Sequence, residues 1–532
     1  MDPWIAIHGL GACFISFSGI DKTSDSYGAA MVNKRNPGWR KLARLSVITA
    51  TILVWWVQTA VAGDPAGQLD ALLRSLPTSK AVCGAAVADA DTGEVLFTHH
   101  ADTPLIPASN AKLFVMAAAL DILGADFEFR TSLMVSGDDL LVVGSGDPGF
   151  GDPRLSAARD ESVTAIFDRW AAALLADDRR TIAGDLILDE SIFDAEYVHP
   201  DWDSGDLQKW YAAPVGALNL NDNCLDITVR PAARSGAPVM WEVNPPTTLV
   251  EIDNRCKTGG AGHPVIHKPG RDLRYTISGG CHKSWAFPPV AVSDPGAIFG
   301  DVLRTVLKKH GVVVKGAIRR IHNATELALA RGPGTLIAEH RTPLADVLNR
   351  IGKDSQNLFA ECLLKRLGHE WQRRQGSPEA TGTWAGGRAA IRAWLDNLTE
   401  RPTDGVADRC AGMIIADGSG LSRTNRMTAR QIVDLLTVMH TRPDGDIFAE
   451  SLSVAGRDGS LHRHKRLGDL TGAVRAKTGT LTGVKALSGY VDTPSGRRLA
   501  FSVVFNGITG PGAPFNELHD RVCRILADWP DP

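Results

Sequence analysis

One segment of this chain must lie inside a folded core. Residues 107–120 read PASNAKLFVMAAAL, with proline in the first turn, an alanine-rich interior and Gly124 close behind. These are start and stop signals of a helix. Because apolar side chains surround this helix almost completely, we predict that it is buried on all sides. The fold must therefore provide a large core around a helix that also carries Ser109 and Lys112.

The composition allows such a core. Of the 532 residues, 44% are hydrophobic and 22% are charged, which excludes a disordered chain. The net charge of −3 disfavours a nucleic-acid binder that relies on bulk positive charge, and we expect no nucleic-acid partner. The length suggests about two to four structural units.

The N-terminal region reads as an export signal. Residues 31–62 contain a group of lysines and arginines, the mostly apolar segment 45–57 and the small-residue ending Ala60-Val61-Ala62. An uncleaved membrane anchor is the alternative. We therefore expect the body of the protein to be exported to the periplasm or cell envelope, with membrane contact only through this segment. The segment before Met31 has no signal character, so both Met1 and Met31 stand as possible starts.

Cysteine and histidine patterns predict no metal and no cofactor. Seven cysteines follow Cys13, and no CxxC pair or histidine cluster has metal-ligand spacing. Cys256 and Cys281 share a loop-rich stretch and could form a disulfide bond. For the other cysteines, buried thiols are expected.

The pattern of apolar residues changes twice along the chain, which predicts domain boundaries. Short strand patterns alternate with turn clusters in residues 127–341, whereas longer periodic segments lie before and after. We predict a domain in two pieces, 63–126 and 342–532, and one or two inserted, mainly β domains at 127–341. The fold class is α/β (α+β). The elements predicted for the two-piece domain are a hairpin at 81–87 and 94–97, helices at 107–120, 344–351, 358–367, 429–439 and 516–527, and strands at 474–477, 484–491 and 499–506.

Ser109 and Lys112 are the first candidate pair for chemistry. They lie three residues apart, so both side chains share one helix face, and no other serine here has a lysine at this spacing. Unpaired N–H groups in a first helical turn favour developing negative charge. A desolvated lysine loses affinity for its proton and can accept one from the serine. The alternative is a helix-start serine followed by a solvated lysine.

Two further motifs follow in order. Ser355-Gln356-Asn357 precedes a helix and offers a hydroxyl and a carboxamide, although Asp354 or Ser355 could simply cap that helix. Lys477-Thr478-Gly479-Thr480 ends a predicted strand and offers a cation, hydroxyls and a glycine that lets substrate approach. Residues 257–259 repeat the letters KTG, but no strand pattern leads into them and we predict a turn there.

Ser-x-x-Lys, Ser-x-Asn and Lys-Thr-Gly in this order form the set described for penicillin-binding proteins and serine β-lactamases. Over nearly all of the body the chain resembles the D-alanyl-D-alanine carboxypeptidase/endopeptidase family, the class C low-molecular-mass penicillin-binding proteins (peptidase family S13). The long segment between Lys112 and Ser355 is typical of that family. The segments that carry the resemblance are 107–110, 112–113, 146–148, 217–223, 354–361, 417–423 and 455–459.

The resemblance implies a transpeptidase-like domain, with an antiparallel sheet flanked by helices, and two smaller inserted β domains. It also implies a serine D-alanyl-D-alanine carboxypeptidase/endopeptidase that cleaves peptidoglycan stem peptides and cross-links, and that β-lactams trap as slowly hydrolysed esters. Ser109 would attack the peptide carbonyl and Lys112 would take its proton. Ser355 would pass a proton to the departing amine, and Asn357 would orient the acyl side.

The resemblance implies further roles around the substrate. Lys477 and Thr478 would hold the terminal carboxylate or stabilise the serine–lysine network, and Gly479 belongs to the same motif. The backbone N–H groups of Ser109 and Thr480 would form the oxyanion hole. The positions that would lie near the pocket for the stem-peptide side chain are Asp206, for which Asp201 and Asp203 are alternatives, Tyr211, Arg423 and Thr482.

Two other functions remain open at this point. A β-lactamase needs a base that activates the deacylating water, and no glutamate can be assigned to that role from the sequence. A non-catalytic sensor of penicillins or wall peptides would not need all of the motif residues, and all of them are present.

Overall fold

The computed structural model describes residues 64–268, 270, 272–323, 326, 334–398 and 410–531. The export segment predicted at 31–62 lies outside these residues. Within them, no helix is both long enough and apolar enough to cross a membrane.

The strands are short in the middle of the chain and longer near its two ends. In chain order they are β1 Val82–Asp89, β2 Val95–His99, β3 Glu128–Ser136, β4 Asp139–Val143, β5 Thr181–Ile182, β6 Leu186–Asp189, β7 Cys224–Arg230, β8 Met240–Asn244, β9 Glu251–Asn254, β10 Lys257–Thr258, β11 Val265–His267, β12 Arg274–Ser278, β13 Gly280–Cys281, β14 Trp285–Ala286, β15 Val290–Ala291, β16 Val313–Val314, β17 Ile318–Ile321, β18 Gly334–Pro343, β19 Ser453–Val454, β20 Val474–Leu481, β21 Val484–Asp492 and β22 Arg498–Asn506.

Most of the long helices lie in the second half of the chain. In chain order the described α-helices are α1 Pro65–Arg74, α2 Lys112–Leu123, α3 Pro153–Ala158, α4 Ala165–Ala176, α5 Pro295–Lys309, α6 Leu344–Gly352, α7 Asn357–Arg374, α8 Trp384–Asn397, α9 Ala429–His440, α10 Gly445–Glu450 and α11 Ala513–Ala527.

The largest sheet joins two distant parts of the chain. Its strand order is β19-β20-β21-β22-β1-β2, and every neighbouring pair is antiparallel. β1 pairs with β22 over its whole length, from Val82 opposite Asn506 to Asp89 opposite Leu499. Both predicted pieces, 63–126 and 342–532, therefore contribute strands to one sheet. The combination of helices and antiparallel strands agrees with the predicted fold class.

Helices cover both faces of this sheet because its strands alternate two sets of apolar side chains. Along β22, Phe501 and Phe505 face a core shared with α1 and α11, whereas Ala500 and Val504 face the core around α2. This two-residue period is the one expected of a strand buried on both sides. α9 packs on the second face, against β1 and β22.

α2 lies at the centre of the molecule's largest core. All residues from Lys112 to Leu120 are buried, and α6, α7, α8, α9 and α10 pack around the helix. The predicted burial on all sides is therefore confirmed. The predicted helix start is one turn too early, because residues Ala108–Ala111 form a 3-10 turn instead.

Residues between β2 and α6 form the other sheets. A five-stranded mixed sheet has the order β17-β6-β4-β3-β18, and α4 and α5 pack on it. Small sheets are built from β7, β8, β14 and β15, from β9, β11 and β12, from β10 with β13, and from β5 with β16. Their apolar side chains share a second core, which contains Phe150, Phe167 and Phe299.

The structure corrects two local interpretations in this region. The repeated KTG letters are not only a turn, because Lys257–Thr258 forms the short strand β10, which pairs with Gly280–Cys281. Gly259 then turns the chain, with φ +67°. The disulfide considered between Cys256 and Cys281 is absent, since both of these thiols are free and buried.

Truncation of Phe299 should destabilise the second core. Its fully buried ring lies 5.0 Å from the ring of Phe167 and 5.1 Å from that of Phe150, centre to centre. We expect Phe299→Ala to lower the free energy of unfolding by about 3–5 kcal/mol, measured by urea denaturation. Leu336→Ala is the control, because that side chain is 55% exposed. Equal unfolding midpoints for the two variants would contradict this packing.

Candidate active site

Ser109 lies in a tight turn that packs closely against Gly420 and Gly479. Ala108, before it, has φ +48°, a left-handed conformation that is rare for alanine. A Cβ placed on Gly420 would lie 1.8 Å from the Ala108 carbonyl oxygen, and one on Gly479 would lie 2.9 Å from that of Pro107. These contacts explain why Ser109 lies in a 3-10 turn rather than in the first turn of α2.

The Lys112 amine connects the three motifs. Its Nζ lies 3.1 Å from Ser109 Oγ, 2.7 Å from Asn357 Oδ1 and 2.6 Å from the carbonyl oxygen of Ser419. The last two oxygens only accept hydrogen bonds, whereas a serine hydroxyl also donates. A neutral amine has two N–H groups and one lone pair. It can therefore donate to Asn357 and Ser419 and accept the Ser109 proton.

Burial favours this neutral form. The Lys112 side chain is fully buried, and desolvation lowers its pKa to about 7. The negative charges of Glu361 and Asp417 act in the opposite direction and raise that pKa, but they are the smaller effect. Near neutral pH, a substantial fraction of the amine can therefore act as a base.

Glu361 holds the loop that contacts the Lys112 amine. No sequence motif predicted a role for this residue. Its carboxylate accepts hydrogen bonds from Gly418 N at 2.9 Å, Ser419 N at 2.7 Å and Trp384 Nε1 at 2.8 Å. These bonds hold the loop whose carbonyl meets Lys112. Burial and the neighbouring Asp417 raise the pKa of Glu361. The available signal was an acid four residues after Asn357, on the same helical face.

Ser355 lies in a left-handed turn just before α7. Its φ is +62°, and its hydroxyl oxygen accepts a hydrogen bond from Lys477 Nζ at 2.8 Å. Gln356 is the N-cap of α7, rather than Asp354 or Ser355, and its side chain accepts from Asn357 N. Asn357 Nδ2 also donates to the Tyr211 carbonyl oxygen at 2.7 Å. The turn thus connects Lys477, Lys112 and the Tyr211 segment.

A buried ion network supports this turn. Arg350 donates to Asp354 at 2.6 Å and to Asp152 at 2.7 Å, and it also contacts Asp222 at 3.2 Å. Gln356 Nε2 donates to Asp222 at 2.6 Å. Non-glycine residues in left-handed conformations cost about 1–3 kcal/mol and persist only where their surroundings hold them. This network provides that restraint.

The third motif lies inside β20 rather than at its end. Lys477 is fully buried, and desolvation together with the charge of Lys112 lowers its pKa well below the usual value. Its Nζ donates to the carbonyl oxygen of Thr478 as well as to Ser355. Thr478 Oγ1 donates to Ser460 Oγ at 2.7 Å, which adds Ser460 as a further residue that our sequence analysis missed.

A cleft of about 680 Å³ opens onto these groups. Two carboxylates line it, and both are ion-paired: Asp206 with Lys209, and Asp354 with Arg350 and Arg154. The predicted site residues that line the cleft are Ser109, Asp206, Tyr211, Ser355, Asn357, Thr478, Thr480 and Thr482. Lys112 and Lys477 are buried beside the hydroxyls of Ser109 and Ser355.

The four pocket residues suggested by resemblance lie in two pairs. Asp206 accepts from the Tyr211 hydroxyl at 3.0 Å, and Arg423 Nη1 donates to the carbonyl oxygen of Thr482 at 3.0 Å. Arg423 contacts the cleft wall without lining it. Of the alternatives to Asp206, Asp201 accepts from Ser422 Oγ and Asp203 from Gly205 N, and neither lines the cleft.

Nothing in the described part of the chain gathers three or more histidine, cysteine, aspartate or glutamate side chains in a metal-binding group. The groups that adjoin the Ser109 and Ser355 hydroxyls are the amines of Lys112 and Lys477 and the Asn357 carboxamide. This set can support nucleophilic attack by a serine on a carbonyl carbon, with proton transfer to an adjacent amine.

Comparison with known proteins gives consistent matches over most of the chain. The sequence model of the D-Ala-D-Ala carboxypeptidase 3 (S13) family matches residues 66–524. A D-alanyl-D-alanine carboxypeptidase from Actinomadura sp. (strain R39) is 34% identical over 492 residues, covering 87% of this chain and 84% of the relative.

Solved structures show the same fold. The crystal structure of penicillin-binding protein 4 (DacB) from Haemophilus influenzae has a TM-score of 0.70 at 23% identity, covering 86% of this chain and 99% of the other. A structure of that protein in complex with a β-lactam has a TM-score of 0.65 at the same identity and coverage.

Alanine at position 420 should disrupt the Ser109 turn. Gly420 has φ +80°, and its added Cβ would clash with the Ala108 backbone. We expect Gly420→Ala to lower the free energy of unfolding by roughly 2–4 kcal/mol, measured by denaturant titration. Gly412→Ala is the matched control, because a Cβ placed there would meet no described residue within 4 Å apart from its two neighbours in the chain. Equal stability of both variants would argue against the described contact.

Proposed function

Because the chain belongs to the D-Ala-D-Ala carboxypeptidase 3 (S13) family and is a serine-type D-alanyl-D-alanine carboxypeptidase, we propose that its acyl-enzyme forms on Ser109. One observation carries this assignment. Lys112 Nζ is fully buried, and Ser109 Oγ is its one hydrogen-bond partner, among the three described, that can donate a proton.

Acylation begins with attack by Ser109 Oγ on the carbonyl carbon between the two terminal D-alanines of a peptidoglycan stem peptide. The hydroxyl proton moves to the neutral Lys112 amine as the Oγ–carbon bond forms. The backbone N–H groups of Ser109 and Thr480 stabilise the resulting oxyanion. Such preorganised donors contribute strongly to acyl-transfer catalysis.

Ser355 then completes the departure of the terminal D-alanine. Its hydroxyl donates a proton to the leaving amine as the peptide bond breaks, and the proton that Lys112 took from Ser109 returns to the Ser355 oxygen, to which Lys477 donates a hydrogen bond at 2.8 Å. Asn357 holds the acyl side while it remains hydrogen-bonded to Lys112. Water then loses a proton to the neutral Lys112 amine as it attacks the ester carbon, the bond to Ser109 Oγ breaks, and that proton passes from Lys112 to Ser109 Oγ.

The motif in β20 binds the end of the substrate. The hydroxyls of Thr478 and Thr480 and the amine of Lys477 offer the hydrogen-bond donors that a terminal carboxylate needs, and Gly479 keeps the strand close to the Ser109 turn. Asp206, Tyr211 and Thr482, which also line the cleft, contact the stem-peptide side chain, and Arg423 holds Thr482 through its carbonyl oxygen. A cross-linked peptide in the same cleft gives the endopeptidase reaction.

β-Lactams acylate the same serine in this proposal. A related protein has been solved in complex with a β-lactam, which supports it. Ring opening leaves an ester on Ser109 that hydrolyses slowly, because both carboxylates that line the cleft are ion-paired and neither is free to activate water. This feature favours a carboxypeptidase over a β-lactamase.

The domain division and the location also remain proposals. We propose that residues 63–126 and 342–532 form the catalytic domain and that 127–341 are insertions, supported by the separate cores around α2 and around Phe299. The body acts in the periplasm or cell envelope, where peptidoglycan lies, and residues 31–62 bring it there.

One experiment separates the three candidate functions. Purified protein is labelled with a fluorescent penicillin and then incubated with cross-linked muropeptides. Stable label together with release of D-alanine or of the cross-link supports the proposal. Rapid loss of label indicates a β-lactamase, and label without any product indicates a sensor.

Ser109→Ala should abolish both penicillin labelling and D-alanine release. We expect no penicillin label and a loss of D-alanine release of at least about 10⁴-fold, since the acyl-enzyme cannot form. Ser377→Ala, at an exposed serine, is the matched control and should label like the unmodified protein. Retention of covalent label in Ser109→Ala would show that another residue is acylated.

The rate of acylation should depend on pH through the Lys112 base. Protonated amine cannot accept the serine proton, so the rate falls as the pH drops below the lowered pKa of about 7 and levels off above it. Far below that pH we expect about tenfold loss per pH unit. Stopped-flow labelling between pH 5 and 9 measures the profile. A rate that is independent of pH across this range would exclude Lys112 as the base.

Glu361→Gln should move this profile to lower pH. The Glu361 charge raises the pKa of Lys112, so its removal lets the amine lose its proton more easily. The maximal rate should also fall, by about tenfold, because an amide oxygen cannot accept all the hydrogen bonds that hold the 418–419 loop. The pH at half-maximal labelling distinguishes this positioning role, since damage to the fold alone would lower the rate without shifting the midpoint.

A further inference from the structure

A second pocket lies next to the cleft. It has a volume of about 410 Å³, and it shares two wall residues, Trp210 and Tyr211, with the cleft. The pocket therefore lies on the other side of the segment that also carries Asp206. Its remaining walls come from β11, β12 and the residues just before β15, which belong to the proposed insertions.

The pocket contains a buried hydroxyl without a partner. Tyr275 is fully buried, and no described residue makes a hydrogen bond with its Oη. Buried polar groups are nearly always hydrogen-bonded, because leaving one unpaired costs stability. A missing partner at the wall of a cavity points to a ligand that supplies an acceptor or a donor.

A buried lysine lies over the ring of Tyr275. Lys268 is 5% exposed, and its Nζ lies 5.7 Å from the centre of that ring. The carbonyl oxygen of Ala291, at 3.1 Å, uses one of its N–H groups, and no second acceptor is present among the described residues. Further donors of Lys268 therefore remain available at this pocket.

Most of the other wall residues are apolar. They include Pro288, Pro289, Ile266 and Trp210, which is 41% exposed, while Gln208 and Lys209 add polar groups. Among the described residues that line the pocket none is acidic, so a cationic ligand finds no partner there. Apolar walls with two or three donors suit a ligand that has both an apolar face and an uncharged acceptor. An N-acetylated amino sugar has these properties, with C–H groups on one ring face and an acetamido carbonyl oxygen.

We propose that this pocket is an accessory subsite for an N-acetylated amino sugar of the glycan strand to which the stem peptide is attached. The inference rests on the proposed function, because such a sugar reaches the pocket as part of the peptidoglycan substrate. Lys268 Nζ and Tyr275 Oη donate to the acetamido carbonyl, and the sugar ring lies against Trp210.

Occupation of this subsite also acts on the cleft. The Tyr211 carbonyl oxygen accepts a hydrogen bond from Asn357 Nδ2 at 2.7 Å, and Asn357 contacts Lys112. A sugar held against the neighbouring Trp210 restrains the segment that supplies this carbonyl. Substrates that carry the sugar therefore gain in kcat as well as in binding, and both gains raise kcat/KM.

The test compares two substrates that differ only in the sugar. The kcat/KM for D-alanine release is measured with a free stem pentapeptide and with the same peptide on its N-acetylated disaccharide. We expect about a tenfold preference for the disaccharide form, in line with two added hydrogen bonds. Tyr275→Phe and Lys268→Met should each reduce this ratio by about threefold, since each removes one of the two hydrogen bonds. Because the ratio compares kcat/KM for two substrates, a loss of activity that affects both substrates equally leaves it unchanged.

Two matched variants control for folding and for charge. Tyr490→Phe also removes a buried hydroxyl, but one that donates to the Leu436 carbonyl oxygen at 2.7 Å, so it should lower the unfolding temperature and leave the ratio unchanged. Tyr275→Phe should not lower that temperature, since it removes an unpaired group. Lys283→Met, at an exposed lysine, should leave the ratio unchanged.

The outcomes separate this inference from the proposed function. Cleavage of both peptides with equal kcat/KM, or a preference unaffected by Tyr275→Phe and Lys268→Met, overturns the sugar subsite while the carboxypeptidase assignment stands. If neither peptide is cleaved, the proposed function fails. Calorimetry with a β-1,4-linked N-acetylglucosamine trisaccharide then decides the subsite: binding that Lys268→Met abolishes supports it, and absence of binding overturns it.

Discussion

The exclusion of water from the Lys112 amine is the constraint on which the rest of the structure depends. An exposed lysine remains protonated at neutral pH and cannot accept a proton from serine. Here desolvation outweighs the nearby Glu361 and Asp417 charges and lowers the pKa of the amine. That result requires a helix that is apolar all round, five further helices packed against it, and partners for each hydrogen-bonding position of Nζ. The large core is therefore part of the proposed chemistry.

Rigid supports around the amine keep the reacting groups in place. Gly420 and Gly479 let the backbone approach the Ser109 turn more closely than a side chain would allow. Arg350 and its acidic partners hold Ser355 in a conformation that serine rarely adopts. These supports come from different parts of the chain, so the geometry depends on the tertiary fold more than on any local motif.

The sequence predicted the family and the strongly patterned elements correctly. The family match and the related structures confirm the resemblance inferred from the three motifs. The predicted bounds of helices such as α6 and α9 agree with the observed bounds to within about two residues, because caps and apolar periodicity are local signals. The 3-10 turn at Ser109 was missed because long-range contacts with Gly420 and Gly479 determine it. Glu361 was not assigned a role for the same reason: its partners Gly418 and Ser419 are remote in sequence. The roles of the site residues stay predictions until the variants are measured.

The pairing of β1 with β22 has a consequence for the stage of synthesis at which the protein can become active. The serine and its lysine are synthesised early, whereas the strand that carries Lys477 and the partner strand of β1 come last. A chain that ends before β22 lacks the partner strand of β1 and the side chains of Ala500 and Val504, which pack in the core around α2. We therefore expect hydrolysis of peptidoglycan only once the chain has been synthesised through β22.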